Sequence, residues 1–230
     1  MWFILILFGI LGYIYTFGIS TYKRNLSKAV LRKGPKAGRK VALTFDDGPH
    51  PEYTPQLLSI LNRYGITASF FVILKNAKKN PYILKRMASE GHLIGLHTYS
   101  HTHAWLMSPR DVCKDFERSI RVYQDILGYP PKWFRPPWGT FNGVTHRIAN
   151  KFNLKTVYWS IEGHDWSASS TPETIAKRVL DRIHPGAIIV LHDNNGAPGA
   201  PARTLKALPV IIETLQARGY SFVTLDELGG

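Results

Sequence analysis

Seven short apolar runs, separated by helix-like stretches, constrain the fold of this chain more than any other feature. The runs lie near residues 41–45, 68–73, 92–97, 132–135, 156–160, 187–191 and 221–225. A strand, a helix and a second strand in succession favour parallel pairing, because the helix returns the chain to the same edge of the sheet. The pattern therefore predicts an α/β domain whose parallel sheet closes into a (β/α) barrel.

Two adjacent carboxylates end the first of these runs. Residues 41–45 read as a buried strand that Gly48-Pro49 stops, which places Asp46 and Asp47 at the strand end. Neighbouring carboxylates repel unless a cation or a proton transfer gives each a separate use. An isolated Asp-Asp-Gly is more often a solvated turn, so the later motifs decide between the two interpretations.

Two histidines follow the third run. His97 and His101 are four residues apart, a spacing that places both imidazoles on one side of a helical turn, where they reach a single ion. Asp47 becomes the third ligand if the two strand ends are neighbours. The three residues predict a site for one divalent metal ion, zinc or a similar first-row ion, although this histidine spacing alone is often coincidental.

Three further motifs follow strand-like runs. They are Arg135-Pro136-Pro137-Trp138-Gly139, Glu162-Gly163-His164-Asp165-Trp166 and Leu191-His192-Asp193. With all five motifs in order, the chain from about Lys40 onward resembles the polysaccharide deacetylase family, which has a NodB-homology domain and is also called carbohydrate esterase family 4. The resemblance implies a distorted (β/α)7 barrel over residues 41–230, with metal-dependent removal of N-acetyl groups from a glycan.

The resemblance also implies a role for each motif residue. Asp46 would be the general base, Arg135 would orient its carboxylate, and His192 would be the general acid. The predicted substrate contacts are Trp138, Trp166 and Leu191, the last two as walls of an acetyl pocket. A surface charge at Arg135, a core position for His192 and simple packing of the tryptophans are the ordinary alternatives.

The fourth motif departs from the family pattern at its first position. Glu162 stands where the family usually has aspartate, at a position expected to tune the catalytic histidine, His192. Asp165 matches the family and is predicted to belong to the catalytic group. The extra methylene of Glu162 therefore leaves the tuning of His192 open.

The first 22 residues differ in character from the rest of the chain. Residues 2–22 contain no charged side chain and are long enough to cross a bilayer. Residues 1–22 are therefore predicted to be a transmembrane anchor, with a cleavable signal peptide and a buried core helix as alternatives. Membrane attachment would make the protein a single-pass, membrane-anchored member of the family.

A basic linker is predicted over residues 23–40. It carries eight basic and no acidic residues, which account for most of the formal net charge of +13. Such a segment favours anionic lipid headgroups or acidic wall polymers, and no motif for nucleic-acid binding accompanies it. Positive residues after an anchor favour the cytoplasmic side, whereas an enzyme of cell-wall glycan works outside, and we expect the extracytoplasmic orientation.

Three functions remain open from the sequence. The first is N-deacetylation of N-acetylglucosamine-type residues in peptidoglycan or a chitin-like polymer. The second is deacetylation or deformylation of a lipid-linked or intracellular amino sugar. The third is a catalytically silent glycan-binding barrel, which predicts loss of the metal ligands or the base, and all of these residues are present. The oligomeric state is open as well.

Overall fold

The structure is a computed structural model that describes residues 2–14, 18, 21–22, 27, 29–36 and 38–229. Its strands are β1 (Val30–Leu31), β2 (Lys40–Asp46), β3 (Ser69–Val72), β4 (Leu93–Leu96), β5 (Trp133–Phe134), β6 (Lys155–Val157), β7 (Ile161–Glu162), β8 (Ile188–His192) and β9 (Ser221–Phe222). They pair in the order β1-β6-β5-β4-β3-β2-β8-β7, with β9 beside β2, and every pair is parallel. The predicted parallel α/β architecture is therefore present as a curled sheet.

Helices follow most of the strands. They are α1 (Trp2–Tyr13), α2 (Tyr53–Arg63), α3 (Leu74–Lys79), α4 (Pro81–Ser89), α5 (Pro109–Leu127), α6 (Thr145–Lys151), α7 (Pro172–Leu180), α8 (Ala200–Ala217) and α9 (Leu225–Gly229). The start of α5 is set by Ser108, whose hydroxyl accepts a hydrogen bond from the Asp111 amide, with Pro109 in the first turn. Thr171 begins α7 in the same way.

Strand periodicity separates two apolar layers. Along β2, Val41, Leu43 and Phe45 pack in the large core that the helices cover, whereas Ala42 packs in a smaller cluster on the other face. Alternate residues of a strand point to opposite faces, so Thr44 and Asp46 share the face of Ala42, inside the curl. The side chain of Asp46, at the carboxyl end of β2, therefore points to the inside of the curled sheet.

The predicted strand over 156–160 is present only at residues 156–157, because the chain forms two short strands, β6 and β7, near different ends of the sheet. In the pairing order of the described strands, β7 stands at one end and β6 next to the other end. Residues 158–160 cross the intervening gap. Arg135 reaches into this gap and donates from Nη2 to the Tyr158 carbonyl at 3.0 Å. The sheet is thus a half-barrel closed by loop and side-chain contacts rather than by a continuous ladder.

The seventh predicted strand is shorter than expected. Only Ser221–Phe222 pairs with β2, and the chain then turns into α9. Leu225 and Leu228 of α9 are buried in the inner cluster with Ala42 and Phe71. The last apolar run therefore covers the inside of the curled sheet at the end where β2 begins. Asp46 lies at the other end of β2.

The N-terminal anchor is not supported by the described residues. Helix α1 has 12 residues, and within the described ranges no helix combines the length and the hydropathy needed to span a bilayer. Parts of the predicted anchor and of the basic linker, including residues 15–17 and 23–26, lie outside those ranges. The anchor stays a prediction.

Candidate active site

The motif residues lie where strands end. Asp46 and His192 are the last residues of β2 and β8 and are paired in register, while His97 and Arg135 directly follow β4 and β5. All four strands are parallel, so their carboxyl ends share one rim. A cavity of about 630 Å³ opens there. It is lined by Asp46, Asp47, His97, His101, Trp138, Tyr158, Trp159, Glu162, Trp166, Val190, His192, Asn195 and Gly196.

Three side chains of this rim form the predicted ligand cluster. The Asp47 Oδ1 atom lies 3.0 Å from His101 Nε2 and 3.4 Å from His97 Nε2, and all three ligand atoms lie within 4.8 Å of one another. The helical turn predicted for the two histidines is wrong. They lie on a loop in which Thr98 and His101 have φ values of 66° and 57°, and this bent path, rather than helical spacing, brings the imidazoles together.

The donor chemistry of this cluster fits a divalent cation. Asp47 Oδ1 is buried and makes no hydrogen bond within the described residues. His97 donates from Nδ1 to the Arg135 carbonyl at 2.8 Å, which leaves its Nε2 lone pair directed at Asp47. Burial raises the pKa of Asp47, but the adjacent imidazoles of His101 and His97 outweigh it and hold the pKa well below its usual value. An ionised carboxylate and two imidazole nitrogens are ligands that zinc and similar ions prefer.

Asp46 is bound to a fully buried arginine. Arg135 Nη1 donates to Asp46 Oδ1 at 2.6 Å and to Thr44 Oγ1 at 2.8 Å. Its guanidinium carbon also lies 4.2 Å from the centre of the Phe71 ring. Burial lowers the pKa of Arg135, and the charge of Asp46 opposes that change. The arginine therefore fixes one oxygen of Asp46 and leaves Oδ2 on the side of His97, at 3.9 Å from its Nε2.

His192 is held by Asp165. The His192 Nδ1 atom lies 2.8 Å from Asp165 Oδ1, while the His192 amide and the Thr204 hydroxyl both donate to Asp165 Oδ2 at 2.7 Å. Burial disfavours the imidazolium, but the charge and hydrogen bond of Asp165 overcome it and raise the pKa of His192 to about 10. His192 therefore presents a protonated Nε2 to the cavity at neutral pH.

A family model described as polysaccharide deacetylase matches residues 33–157. The chain belongs to the polysaccharide deacetylase family. It is 37% identical over 195 residues to a peptidoglycan-N-acetylglucosamine deacetylase of Bacillus cereus, a match that covers 85% of this chain and 70% of the relative.

Solved structures of the family agree with the fold. A peptidoglycan N-acetylglucosamine deacetylase in complex with 4-naphthalen-1-yl-N-oxidanyl-benzamide has a TM-score of 0.83 at 34% identity, over 91% of this chain and 95% of that chain. A family 4 acetyl xylan esterase from Clostridium thermocellum, in complex with a cobalt ion, has a TM-score of 0.75 at 38% identity. That match covers 82% of this chain and 89% of the esterase.

Glu162 makes no hydrogen bond to His192, the histidine that it was expected to tune. Its Oε1 atom accepts a hydrogen bond from Trp166 Nε1 at 2.9 Å, while Asp165 partners His192. Glu162 and Trp166 both line the cavity. The residue at which this chain departs from the family pattern therefore orients an indole on the cavity wall.

Val190, and not Leu191, lines the cavity. Along β8, Ile188 packs in the inner cluster, whereas Ile189 and Leu191 pack in the helix-covered core. The two-residue period of a strand puts Val190 on the face of His192 and Leu191 on the opposite face. The prediction that Leu191 walls the acetyl pocket was thus displaced by one residue.

Trp138 is exposed at the cavity mouth. It has a left-handed backbone, with φ at 52°, and its ring lies 4.1 Å from the His101 ring and 5.1 Å from the His103 ring, measured between centroids. Gly139 follows, and a Cβ atom at that position would collide with Tyr158. This turn presents the indole beside His101, a member of the predicted ligand cluster, and its contact with substrate stays a prediction.

Sequence reasoning missed two hydroxyl residues that support the site. Thr44 accepts from Arg135, and Thr204 donates to Asp165 from helix α8. The alternation of β2 already points Thr44 inward with Asp46, so that residue was within reach of a pattern argument. No local signal marks Thr204, which lies 39 residues after its partner.

Proposed function

We propose that this protein is a metal-dependent hydrolase that removes N-acetyl groups from N-acetylglucosamine residues of peptidoglycan. One observation carries the proposal: an arginine-bound carboxylate, an Asp-bound histidine and a three-residue ligand cluster line one cavity at the strand ends. The substrate is supported by the B. cereus relative, which is a peptidoglycan-N-acetylglucosamine deacetylase. A chitin-like polymer is the closest alternative, since it offers the same sugar.

Asp46 is the general base of this proposal. Arg135 occupies its Oδ1 atom, so Oδ2 is the oxygen that takes the proton from the attacking water. The ion pair also fixes the orientation of the Asp46 carboxylate, because the guanidinium is itself held by Thr44 and the Tyr158 carbonyl. The two adjacent aspartates thereby have different roles, one in proton transfer and one in metal binding.

His192 is the general acid. Its Nε2 proton is delivered to the nitrogen of the departing amine, while Nδ1 stays bound to Asp165. The raised pKa of His192, about 10, keeps the proton in place before the acetamide carbon–nitrogen bond breaks. Since Asp46 and His192 are opposite each other in the register of β2 and β8, base and acid flank the same cavity.

Asp47, His97 and His101 would hold the metal, and the chemistry that it supplies is polarisation of the acetamide carbonyl and acidification of a water. Zinc or another first-row divalent ion suits this ligand set. Val190, Trp159 and Trp166 provide apolar cavity surface on which an acetyl methyl group can be buried. We expect this surface to accommodate the methyl group of an acetamide.

Acetate release tests the proposal directly. Purified protein would be treated with a chelator, reloaded with zinc or cobalt, and incubated with peptidoglycan, chitin oligomers and a lipid-linked amino sugar. We expect acetate from peptidoglycan only in the reloaded protein, with Asp46→Asn as the inactive control. Absence of acetate from every substrate, with metal bound, would favour a glycan-binding barrel instead.

We also propose that residues 1–22 anchor the protein in a membrane, with residues 23–40 as a basic linker and the catalytic domain outside the cytoplasm. The uncharged N-terminal run and the eight basic residues after it support this arrangement. A reporter fused after Gly230 and active only in the cytoplasm would instead favour a lipid-linked or intracellular amino sugar as substrate.

A further inference from the structure

A groove outside the catalytic cavity is lined by cations. The basic groove, as we call it, has a volume of about 500 Å³ and is formed by Lys75, Tyr99, Ser100, Met107, Asp111, Lys114, Asp115 and Arg118. Its residues come from α3, from α5 and from the loop after β4. None of its charged residues belongs to the catalytic set.

The basic groove shares a wall with the catalytic cavity. The loop that carries His97 and His101 is this wall, because Ser100 lines the groove and His101, the next residue, lines the cavity. Lys75 is joined to the loop by its backbone, whose amide donates to the Tyr99 carbonyl at 3.1 Å. A group bound in the groove is thus separated from the metal ligands by a single segment of chain.

The acidic residues of the groove are satisfied by groups of the protein. Asp115 accepts from the Tyr99 amide at 2.8 Å and from the Ser100 hydroxyl at 3.0 Å, while Asp111 accepts from the Ser108 hydroxyl at 2.6 Å. These hydrogen bonds satisfy oxygens of both carboxylates without using a cation of the groove, although each carboxylate keeps its negative charge. Their role is to fix the loop and the start of α5.

The cations, in contrast, lack acidic partners in the described part of the chain. Lys75, Lys114 and Arg118 are exposed, and none is within 4.0 Å of a carboxylate there. The guanidinium carbon of Arg118 lies 3.6 Å from the centre of the Tyr99 ring, which holds it over the loop. Lys78 and Lys79 continue the positive charge along α3. The lining thus has three basic and two acidic side chains, a formal net charge of +1, and its three cations are free of ion pairs within the described residues.

We propose that the basic groove binds a carboxylate-bearing peptide substituent on the sugar adjacent to the one being deacetylated. The inference rests on the proposed function and narrows its substrate: the acidic stem peptides of peptidoglycan carry such carboxylates, and a neutral chitin oligomer does not. Lysine ammonium groups suit this task, because they attract a mobile carboxylate as point charges without demanding one geometry. The groove then selects peptide-bearing strands over bare glycan with the same catalytic residues.

The test compares two forms of one substrate. Glycan strands with intact stem peptides and the same strands stripped of peptide by an amidase, which leaves one short carboxylate on the sugar itself, would be deacetylated at low and high salt, with a neutral chitin oligomer as the carboxylate-free reference. We expect wild-type kcat/KM to be higher for the peptide-bearing strands. The ratio between the two forms should fall about three- to tenfold in the variant Lys75→Gln/Lys114→Gln and at high salt, as for two exposed charge interactions.

A matched control carries the same loss of charge elsewhere. Lys85 and Lys206 are exposed on α4 and α8, and neither lines the groove. Lys85→Gln/Lys206→Gln should therefore keep the wild-type ratio. A ratio unchanged in Lys75→Gln/Lys114→Gln, with acetate still released, overturns the inference and leaves the proposed function standing.

Binding without turnover separates the two claims. Calorimetric titration of Asp46→Asn with both strand preparations should show tighter binding of the peptide-bearing form, and the preference should be lost when Lys75 and Lys114 are also replaced. Equal binding of the two forms overturns the inference even if neither is hydrolysed. If the tighter binding correlates with the phosphate content of the strands and not with their peptide content, the ligand of the groove is not a peptide carboxylate, and the inference is overturned.

Discussion

Replacement of Arg135 by methionine tests whether one buried ion pair supports both the fold and the catalytic base. The guanidinium has no exposed surface and donates to the Asp46 carboxylate, the Thr44 hydroxyl and the Tyr158 carbonyl. Methionine fills much of the same space but offers no donor. Arg135→Met therefore leaves an ionised carboxylate, a hydroxyl and a carbonyl without this partner in the interior.

The expected destabilisation follows from the loss of one member of a buried pair. Removing one partner costs about 3–5 kcal/mol, chiefly because the remaining charge is left uncompensated. The Asp46 side chain is only 4% exposed, so solvent provides little relief. For a chain of this size, that loss corresponds to a fall in Tm of about 6–20 °C.

Urea and thermal unfolding of the metal-free protein provide the measurement. Chelator would be present throughout, so that metal loss does not contribute to the difference between wild type and Arg135→Met. The double variant Arg135→Met/Asp46→Asn is the decisive comparison, since an amide at position 46 removes the uncompensated charge. We expect it to recover about 1–3 kcal/mol relative to Arg135→Met.

Two results would refute this reasoning. A loss below about 1 kcal/mol in Arg135→Met would show that the pair contributes little beyond what water or repacking replaces. A double variant no more stable than the single one would show that the charge of Asp46 is not the source of the cost. Either result would remove Arg135 as the group that fixes the base.

Four further outcomes are expected. Asp46→Asn should keep its metal by elemental analysis and lose at least about a hundredfold in turnover, whereas His97→Gln should lose the metal. Asp165→Asn should move the alkaline limb of the pH–kcat/KM profile to lower pH, because Asp165 raises the pKa of His192 to about 10. Burial raises the pKa of Asp193 to about 7. In metal-free protein, the free energy of unfolding of Asp193→Asn minus that of wild type should therefore increase by up to about 4 kcal/mol as pH rises from 4 to 7. Superimposable pH profiles, or a pH-independent stability difference, would contradict the last two.

The sign of the Asp193 effect follows from its environment. Its Oδ2 atom accepts from the Thr54 hydroxyl at 2.5 Å, its Oδ1 atom is buried without a hydrogen bond in the described residues, and a Cβ atom on Gly48 would collide with it. Below the usual pKa of 3.8, both folded and unfolded chains are protonated there. Above it the unfolded chain ionises first, so wild type loses stability until the folded pKa is passed.

The sequence predicted those parts of the site that depend on strand ends. Each of the five motifs follows an apolar run, and parallel strands bring such positions to one rim, where Asp46, His97 and His192 line the cavity and Arg135 contacts Asp46. Positions that depend on side-chain direction were harder. The residue that lines the cavity is Val190, where Leu191 was predicted. This difference of one position puts the side chain on the opposite face of the sheet, because side chains alternate along a strand.

Loop geometry was beyond reach of pattern arguments. The spacing of His97 and His101 suggested a helical turn, but the residues between them follow a path with left-handed angles at Thr98. That path is fixed by Asp115 from a distant helix. The partner of Glu162 could not be predicted from the sequence for the same reason. Glu162 accepts a hydrogen bond from Trp166 and makes none to His192, because of the path of the loop after β7.

The gap in the sheet explains why the base and the fold depend on one arginine. A closed barrel would join β7 to β1, the two ends of the pairing order, by backbone hydrogen bonds, but the chain leaves β6 at Val157 and re-enters the sheet near its other end at Ile161. Arg135 joins the crossing segment to the centre of the sheet, through the Tyr158 carbonyl and Asp46 at the end of β2. Because the same guanidinium closes the curl and fixes the Asp46 carboxylate, a change that loosens the closure also displaces the base. Loss of activity in Arg135→Met should therefore accompany its loss of stability.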